Sequence, residues 1–300
     1  FIAERSGNVL VEVGEPALPG VAATAVREAA VTNEGAVSVG GGKIVLAAAG
    51  DIYSRAISNV GSLSASVETG RAGRVELDAP DGAIVNEGMI DATGVEGGRI
   101  AVEGARVGQL GTMHADGIQS DGGRIDLRAG DVVALGPDSL TTANAGLNGD
   151  GGDVVVVSPD TALLWPGASI EARGGAVSGD GGFIEVSGGQ HVEMRGSVTA
   201  GATNGNPGMF VVDPTDIHIV GVDSAAPDMV DPGAGDPRLF TTSANANEIT
   251  DETIEALVNG GTSVTLDTSN HVGGPYGGSG DITQEAAAQI NKTAGGATTL

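Results

Sequence analysis

The 300-residue chain contains no cysteine, which excludes disulfides, thiolate metal sites and cysteine nucleophiles. Stability has to come from packing and backbone pairing. Aromatic residues are almost as scarce, with one Trp, two Tyr and four Phe, so a core of the usual aromatic-rich kind is not available. Only 14 basic residues stand against 39 acidic ones, a formal charge of −25. That balance repels phosphate backbones and anionic lipid alike and argues against nucleic acid as a partner. No apolar run approaches the roughly 20 residues of a membrane helix, so no membrane span is expected. The opening Phe1-Ile2-Ala3-Glu4-Arg5 does not read as a signal peptide. The chain reads as a segment of something longer, with any export signal outside it.

What the chain has in abundance is glycine, 52 residues, and small aliphatics within a hydrophobic fraction of 40%. Such a composition suits many thin layers of Val, Ile, Leu and Ala. It also repeats. A glycine followed by an alternating apolar triplet recurs at Gly42-Lys43-Ile44-Val45-Leu46, Gly73-Arg74-Val75-Glu76-Leu77, Gly98-Arg99-Ile100-Ala101-Val102, Gly123-Arg124-Ile125-Asp126-Leu127, Gly152-Asp153-Val154-Val155-Val156 and Gly182-Phe183-Ile184-Glu185-Val186. Successive copies are 25 to 31 residues apart.

A second motif alternates with the first: Gly61-Ser62-Leu63-Ser64-Ala65, Gly88-Met89-Ile90-Asp91-Ala92, Gly111-Thr112-Met113-His114-Ala115 and Gly196-Ser197-Val198-Thr199-Ala200. Gly167 to Ala172 fits with one inserted residue, and Gly35 to Val39 belongs one coil earlier; the coil from Val133 to Thr142, with Gly136-Pro137, departs most. Period-2 alternation bounded by glycine predicts short strands with one buried face, at least two per coil. If coils stack in register at about 4.8 Å, the inward aliphatics form continuous ladders. The glycines then mark corners with positive φ or close backbone approach. Propeller blades are longer and use more aromatics, leucine-rich repeats need a frame absent here, and helical repeats conflict with the glycine content. The expected class is all-β, a parallel β-helix solenoid.

Residues 1–220 are expected to form the repeat stalk, and residues 221–300 a loop and short-helix excursion followed by further β-helix strands. Met209 to Asp213 and Ile217-His218-Ile219 read as strands joined by a Pro214-Thr215 turn, with His218 outward. From Gly221 to Asn247 prolines and Asp-Pro pairs break the period, which predicts a surface loop. A helix is predicted after Thr250, an N-cap followed by acidic residues, with Ile254, Leu257 and Val258 on one face and Gly260 as its stop. Strands resume at Thr262 to Leu266 and Asp281 to Thr283.

Ile170-Glu171-Ala172-Arg173-Gly174-Gly175, Gly181 to Gly188, Val211-Val212-Asp213-Pro214-Thr215-Asp216-Ile217, Ile254 to Val264 and Gly280-Asp281-Ile282-Thr283, in that order, resemble the filamentous haemagglutinin and two-partner-secretion exoprotein family. The resemblance covers most of the chain. It implies an extracellular right-handed β-helix, exported through an outer-membrane secretion partner, secreted or held at the bacterial cell surface. Its role there would be attachment to a host or neighbouring-cell ligand, or presentation of a distal effector.

The one constellation with metal-binding chemistry is an acidic residue before paired glycines, at Glu96, Asp121, Asp150 and Asp180. Stacked in register, these carboxylates form a column along one edge, either bridged by Ca²⁺ or solvated as a row of Asp-Gly turns. The four histidines, His114, His191, His218 and His271, show no metal spacing. Gly41-Gly42-Lys43-Ile44 is not a phosphate loop, and Ser62 and Ser64 do not form a nucleophile elbow. Trp165 in Leu163-Leu164-Trp165-Pro166 reads as a packing residue. No catalytic residue is predicted and the expectation is a non-enzyme. The alternative is a β-helix polysaccharide-degrading enzyme or polysaccharide-binding module, a fold on which carboxylate pairs act as acid and base.

Overall fold

A computed structural model describes residues 2–5, 8–13, 29–49, 55–221, 229–230, 241–242, 247–268 and 280–300. The chain winds into a parallel β-solenoid whose turns pass through three successive faces. Two faces belong to one 17-stranded sheet and the third is a 7-stranded sheet. The seven strands of that narrow sheet, from Ala36–Ser38 to Ser197–Thr199, count the turns.

The first face is built from the motif that opens each coil. Ile44 aligns with Val75, Val75 with Ile100, Ile100 with Ile125, Ile125 with Val154 and Val154 with Ile184. Phe210 and Val264 continue the column. All eight residues are buried. A parallel column of this kind buries aliphatic surface that no isolated coil can cover, so each turn depends on its neighbours. The narrow sheet stacks the second motif as Val37, Leu63, Ile90, Met113, Thr141, Ile170 and Val198.

The second face lies between them and lacks the alternating buried and outward pattern of the first. Its strands include Arg55–Asn59, the ends of Arg74–Asn86, Arg99–Gln109 and Arg124–Leu135, then Thr161–Leu164 and His191–Met194. Nearly every residue here is buried: Thr161–Leu164 and His191–Met194 are so throughout.

Glycine sets the spacing at the corner before the first face. A Cβ on Gly73, Gly98, Gly123, Gly152 or Gly182 would overlap a backbone carbonyl oxygen of the glycine one turn below. These positions require close approach, not an unusual φ. The irregular coil has its own cause: Asp138 sits at φ 62°, the one non-glycine residue with positive φ among the described residues, and Gly167 (φ 86°) approaches it from the next turn.

Past residue 200 the stacking order departs from chain order. Gly208–Val212 covers Phe183–Gly188 as expected. On the second face, however, Glu248–Thr250 lies between His191–Met194 and Ile217–Val220, and Ile282–Gln284 pairs beyond. The helix Asp251–Asn259 follows at once, with Thr250 Oγ1 accepting from Thr253 N at 3.2 Å. It buries Ile254, Leu257 and Val258 and packs beside Ser197–Thr199, the last strand of the narrow sheet. Gly260 is the C-cap, but the left-handed residue is Gly261 (φ 79°). Within the expected loop, Met229–Val230 pairs antiparallel with Thr241–Thr242; residues 222–228, 231–240 and 243–246 lie outside the described residues, as do Phe1 and His271.

Candidate functional site

Stacking converts each repeated residue into a column, so polar groups meet their copies in adjacent turns. The predicted acidic column forms in this way at the corner joining the narrow sheet to the first face. Asp121 Oδ1 accepts Asp150 N at 3.0 Å, Asp150 Oδ1 accepts Asp180 N at 2.7 Å, and Asp180 Oδ1 accepts Asn206 N at 2.7 Å. Glu96 stands one turn below, with Gly97 N donating to Asp121 O and Arg71 Nε 3.5 Å from its carboxylate. The Asn206 side chain and backbone N–H hold the Asp180 carboxyl below its ordinary value. One oxygen per aspartate is thus taken by the next turn's amide, and among the described residues no three His, Asp or Glu side chains converge as a metal site.

A second column runs through the interior at the end of the second face. Asn33 Nδ2 donates to Asn59 Oδ1 at 2.7 Å, Asn59 Nδ2 to Asn86 Oδ1 at 2.6 Å, and Asn86 Nδ2 to Gln109 Oε1 at 2.7 Å. Gln109 Nε2 ends the chain on Gly111 O at 3.0 Å. One turn further the same position is Leu135, then Leu164 and Met194. An amide carries both donor and acceptor, so a stack of them satisfies itself inside an apolar core where an isolated amide would be costly.

The outer side of the first face carries a basic column, Lys43, Arg74, Arg99 and Arg124. Carboxylates interleave with it. Lys43 Nζ lies 2.6 Å from Glu76, which Arg74 also contacts; Arg99 and Arg124 approach Asp126 at 2.7 and 2.8 Å, and Arg124 also reaches Asp153 at 2.9 Å. Burial pushes the Asp126 carboxyl up, but Arg124, Arg99 and Arg128 outweigh it and hold the pKa below its ordinary value. Lys43, Arg71, Arg74 and Arg99 rim a shallow groove of 420 Å³. Another groove, 350 Å³, runs past Arg128, Pro159, Glu185 and Asp213.

Two further clusters involve titratable groups. On the narrow sheet His114 Nδ1 lies 2.9 Å from Thr142 Oγ1, which donates to Asp116 Oδ2 at 2.7 Å, while Asn144 N donates to Asp116 Oδ1 at 2.7 Å. Burial raises the Asp116 pKa, and these two hydrogen bonds offset part of that rise. On the second face Arg106 Nε donates to Asp131 Oδ2 at 2.6 Å. Burial, then the hydrogen bond and charge of Asp131, raise the pKa of Asp160. Hydrogen-bonded carboxyls lie closer together than the roughly 5–9.5 Å that glycoside hydrolysis requires of its acid and base.

The remaining sequence-level candidates are dispersed. His191 is buried on the second face, His218 is half-buried between Ile217 and Ile219, and Trp165 packs against the cluster of Ala134 and Leu163. The interior amide ladder was not anticipated, although Asn33-Glu34-Gly35, Asn59-Val60-Gly61 and Asn86-Glu87-Gly88 spell it out. No protein-family model matches the chain, and no curated protein matches it either.

Proposed function

We propose that this chain is a stalk segment of a large secreted bacterial surface exoprotein, a structural and adhesive module that mediates attachment or presents a distal effector. The observation that supports this reading most directly is the unbroken column from Ile44 to Val264. Around it, among the described residues, the charged and polar side chains run in columns along the solenoid. Export through an outer-membrane partner and residence at the cell surface belong to the same proposal and rest on the family resemblance. An acidic, cysteine-free chain suits that setting, since it stays soluble without needing an oxidant to fold.

Protease treatment of intact cells of the producing bacterium tests the location; degradation of the chain is expected, and full protection inside intact cells would overturn it. Cell adhesion to surfaces coated with the purified chain tests the role, with retention above an albumin coat expected. For the polysaccharide-enzyme reading the nearest candidate pair is Asp131 and Asp160, whose hydrogen bond holds them closer than an acid and base acting on a glycoside. Reproducible turnover of acidic or neutral glycans by the purified chain would replace the stalk reading with that one.

A further inference from the structure

Three large aliphatic side chains stand exposed at one corner of the solenoid. Ile118, Leu147 and Val177 are 50%, 54% and 59% exposed. They occupy the same corner in successive turns: Gly146 N donates to Ser120 O, Asn148 N to Gln119 O, and Val177 N to Leu147 O. Exposed aliphatics scattered singly need no explanation, whereas a contiguous row marks a contact surface.

Each ridge residue precedes a member of the acidic column by three positions, as Ile118-Gln119-Ser120-Asp121, Leu147-Asn148-Gly149-Asp150 and Val177-Ser178-Gly179-Asp180. One turn later the equivalent residues are Thr203 and Asn206, so at this end the apolar row and the negative row stop together; at the other end the acidic row runs one turn further, to Glu96, with Thr93 three positions before it. A solvated acidic edge has no need of exposed aliphatics beside it. An apolar stripe flanked on one side by carboxylates complements a surface of apolar residues flanked by Lys or Arg.

Spacing selects the shape of that surface. Ridge side chains recur at the strand separation, about 4.8 Å. An α-helix laid along the solenoid axis repeats one face every turn, about 5.4 Å; over two steps it drifts by about 1 Å. Same-face side chains of an extended strand recur at about 6.8 Å and drift by about 4 Å over the same two steps. A second copy of this chain would bring acidic column against acidic column in a molecule of charge −25.

We infer that the ridge Ile118–Leu147–Val177 with its adjoining acidic column is a docking surface for a basic amphipathic α-helix of a partner protein. Apolar residues at i, i+4 and i+7 cover the ridge and Lys or Arg on one flank faces Asp121 and Asp150. This holds whether or not the chain is exported.

A synthetic helical peptide with Leu at those positions and Lys on one flank is the probe, with a composition-matched scramble as control. By fluorescence anisotropy the intact chain is expected to bind the helical peptide about tenfold or more tightly than the scramble. The triple variant I118S/L147S/V177S, checked for an unchanged melting midpoint, is expected to lose that preference. D121N/D150N is expected to weaken binding and flatten its salt dependence. Equal binding of helix and scramble, or undiminished preference in the triple variant, overturns the proposal. So does sedimentation showing that the chain alone self-associates through the ridge, since the occupant would then be a second copy.

Discussion

Asn59 donates through Nδ2 to Asn86 Oδ1 at 2.6 Å, and both side chains are fully enclosed. Asn86 in turn donates to Gln109 at 2.7 Å, so it is both acceptor and donor within one chain of amides. Replacing it with leucine strands a donor on Asn59 and an acceptor on Gln109, each costing about 1–3 kcal/mol when buried. Asn86→Leu is therefore expected to destabilise by about 2 kcal/mol or more, read as a fall in urea midpoint. Leu135→Met, on the apolar continuation of the column, is expected to cost under about 1.5 kcal/mol. Equal effects at the two sites would show that the amide ladder adds nothing beyond packing.

Gly123 is fixed by a different constraint. A Cβ there would overlap the carbonyl oxygen of Gly98, with Ala115 O also within reach. Backbone cannot yield as a side chain can, so Gly123→Ala is expected to cost about 3 kcal/mol or more. A methyl group on Gly40 would meet nothing within 4 Å, and Gly40→Ala should stay within about 0.5 kcal/mol. Thermal melts of the two variants separate close approach from a general intolerance of alanine.

Two of the three faces were legible in the sequence and the third was not, and the physical reason is burial. Ile100 and Val102 alternate with outward Arg99 and Ala101 behind Gly98, so the first face announces itself by a two-residue period. Thr161–Leu164 and His191–Met194 are buried on both sides, which erases that period. The amide column hides for a related reason: Asn before a glycine reads as a turn signal until stacking puts one copy over the next. Insertion of Glu248–Thr250 beneath Ile217–Val220 is not legible locally at all, because it depends on which turn leaves a gap on the second face. In the acidic column Asp121, Asp150 and Asp180 follow one another turn by turn, while Glu96 pairs with Arg71, and the backbone amides that occupy the aspartates have no local signal in the sequence.

Thr141 is the one hydroxyl in the inward column of the narrow sheet, between Met113 and Ile170. It is fully buried and its Oγ1 has no hydrogen-bond partner among the described residues. A buried hydroxyl left unpaired carries a desolvation penalty that valine, of nearly the same shape, does not. Thr141→Val is expected to raise stability by about 1 kcal/mol, seen as a higher melting midpoint; a fall would mean that the hydroxyl is satisfied in solution.

Asp126 ties together three arginines from two turns, Arg99, Arg124 and Arg128. Its folded-state pKa lies below the ordinary carboxylate value, so it binds its proton less readily folded than unfolded. The stabilisation is complete above the unfolded pKa, about 3.9, and disappears as pH falls through the lower folded value. Asp126→Asn is expected to remove about 2 kcal/mol at neutral pH. The difference from the parent chain should shrink on acidification through pH 4 and below. A difference independent of pH would point to lost packing.

The acidic column at Asp121, Asp150 and Asp180 distinguishes calcium from hydrogen bonding by stoichiometry of oxygen atoms. Each Oδ1 already accepts an amide of the following turn. A bridging cation normally takes six to eight oxygens, so the exposed oxygens of one row fall short without displacing those amides. The melting midpoint is therefore expected to be the same in millimolar calcium and in chelator. Asp150→Ala, which removes one acceptor, is expected to cost about 1 kcal/mol under both conditions. A calcium-dependent rise in midpoint that Asp150→Ala abolishes would mean that the row binds metal and that the amide contacts yield to it.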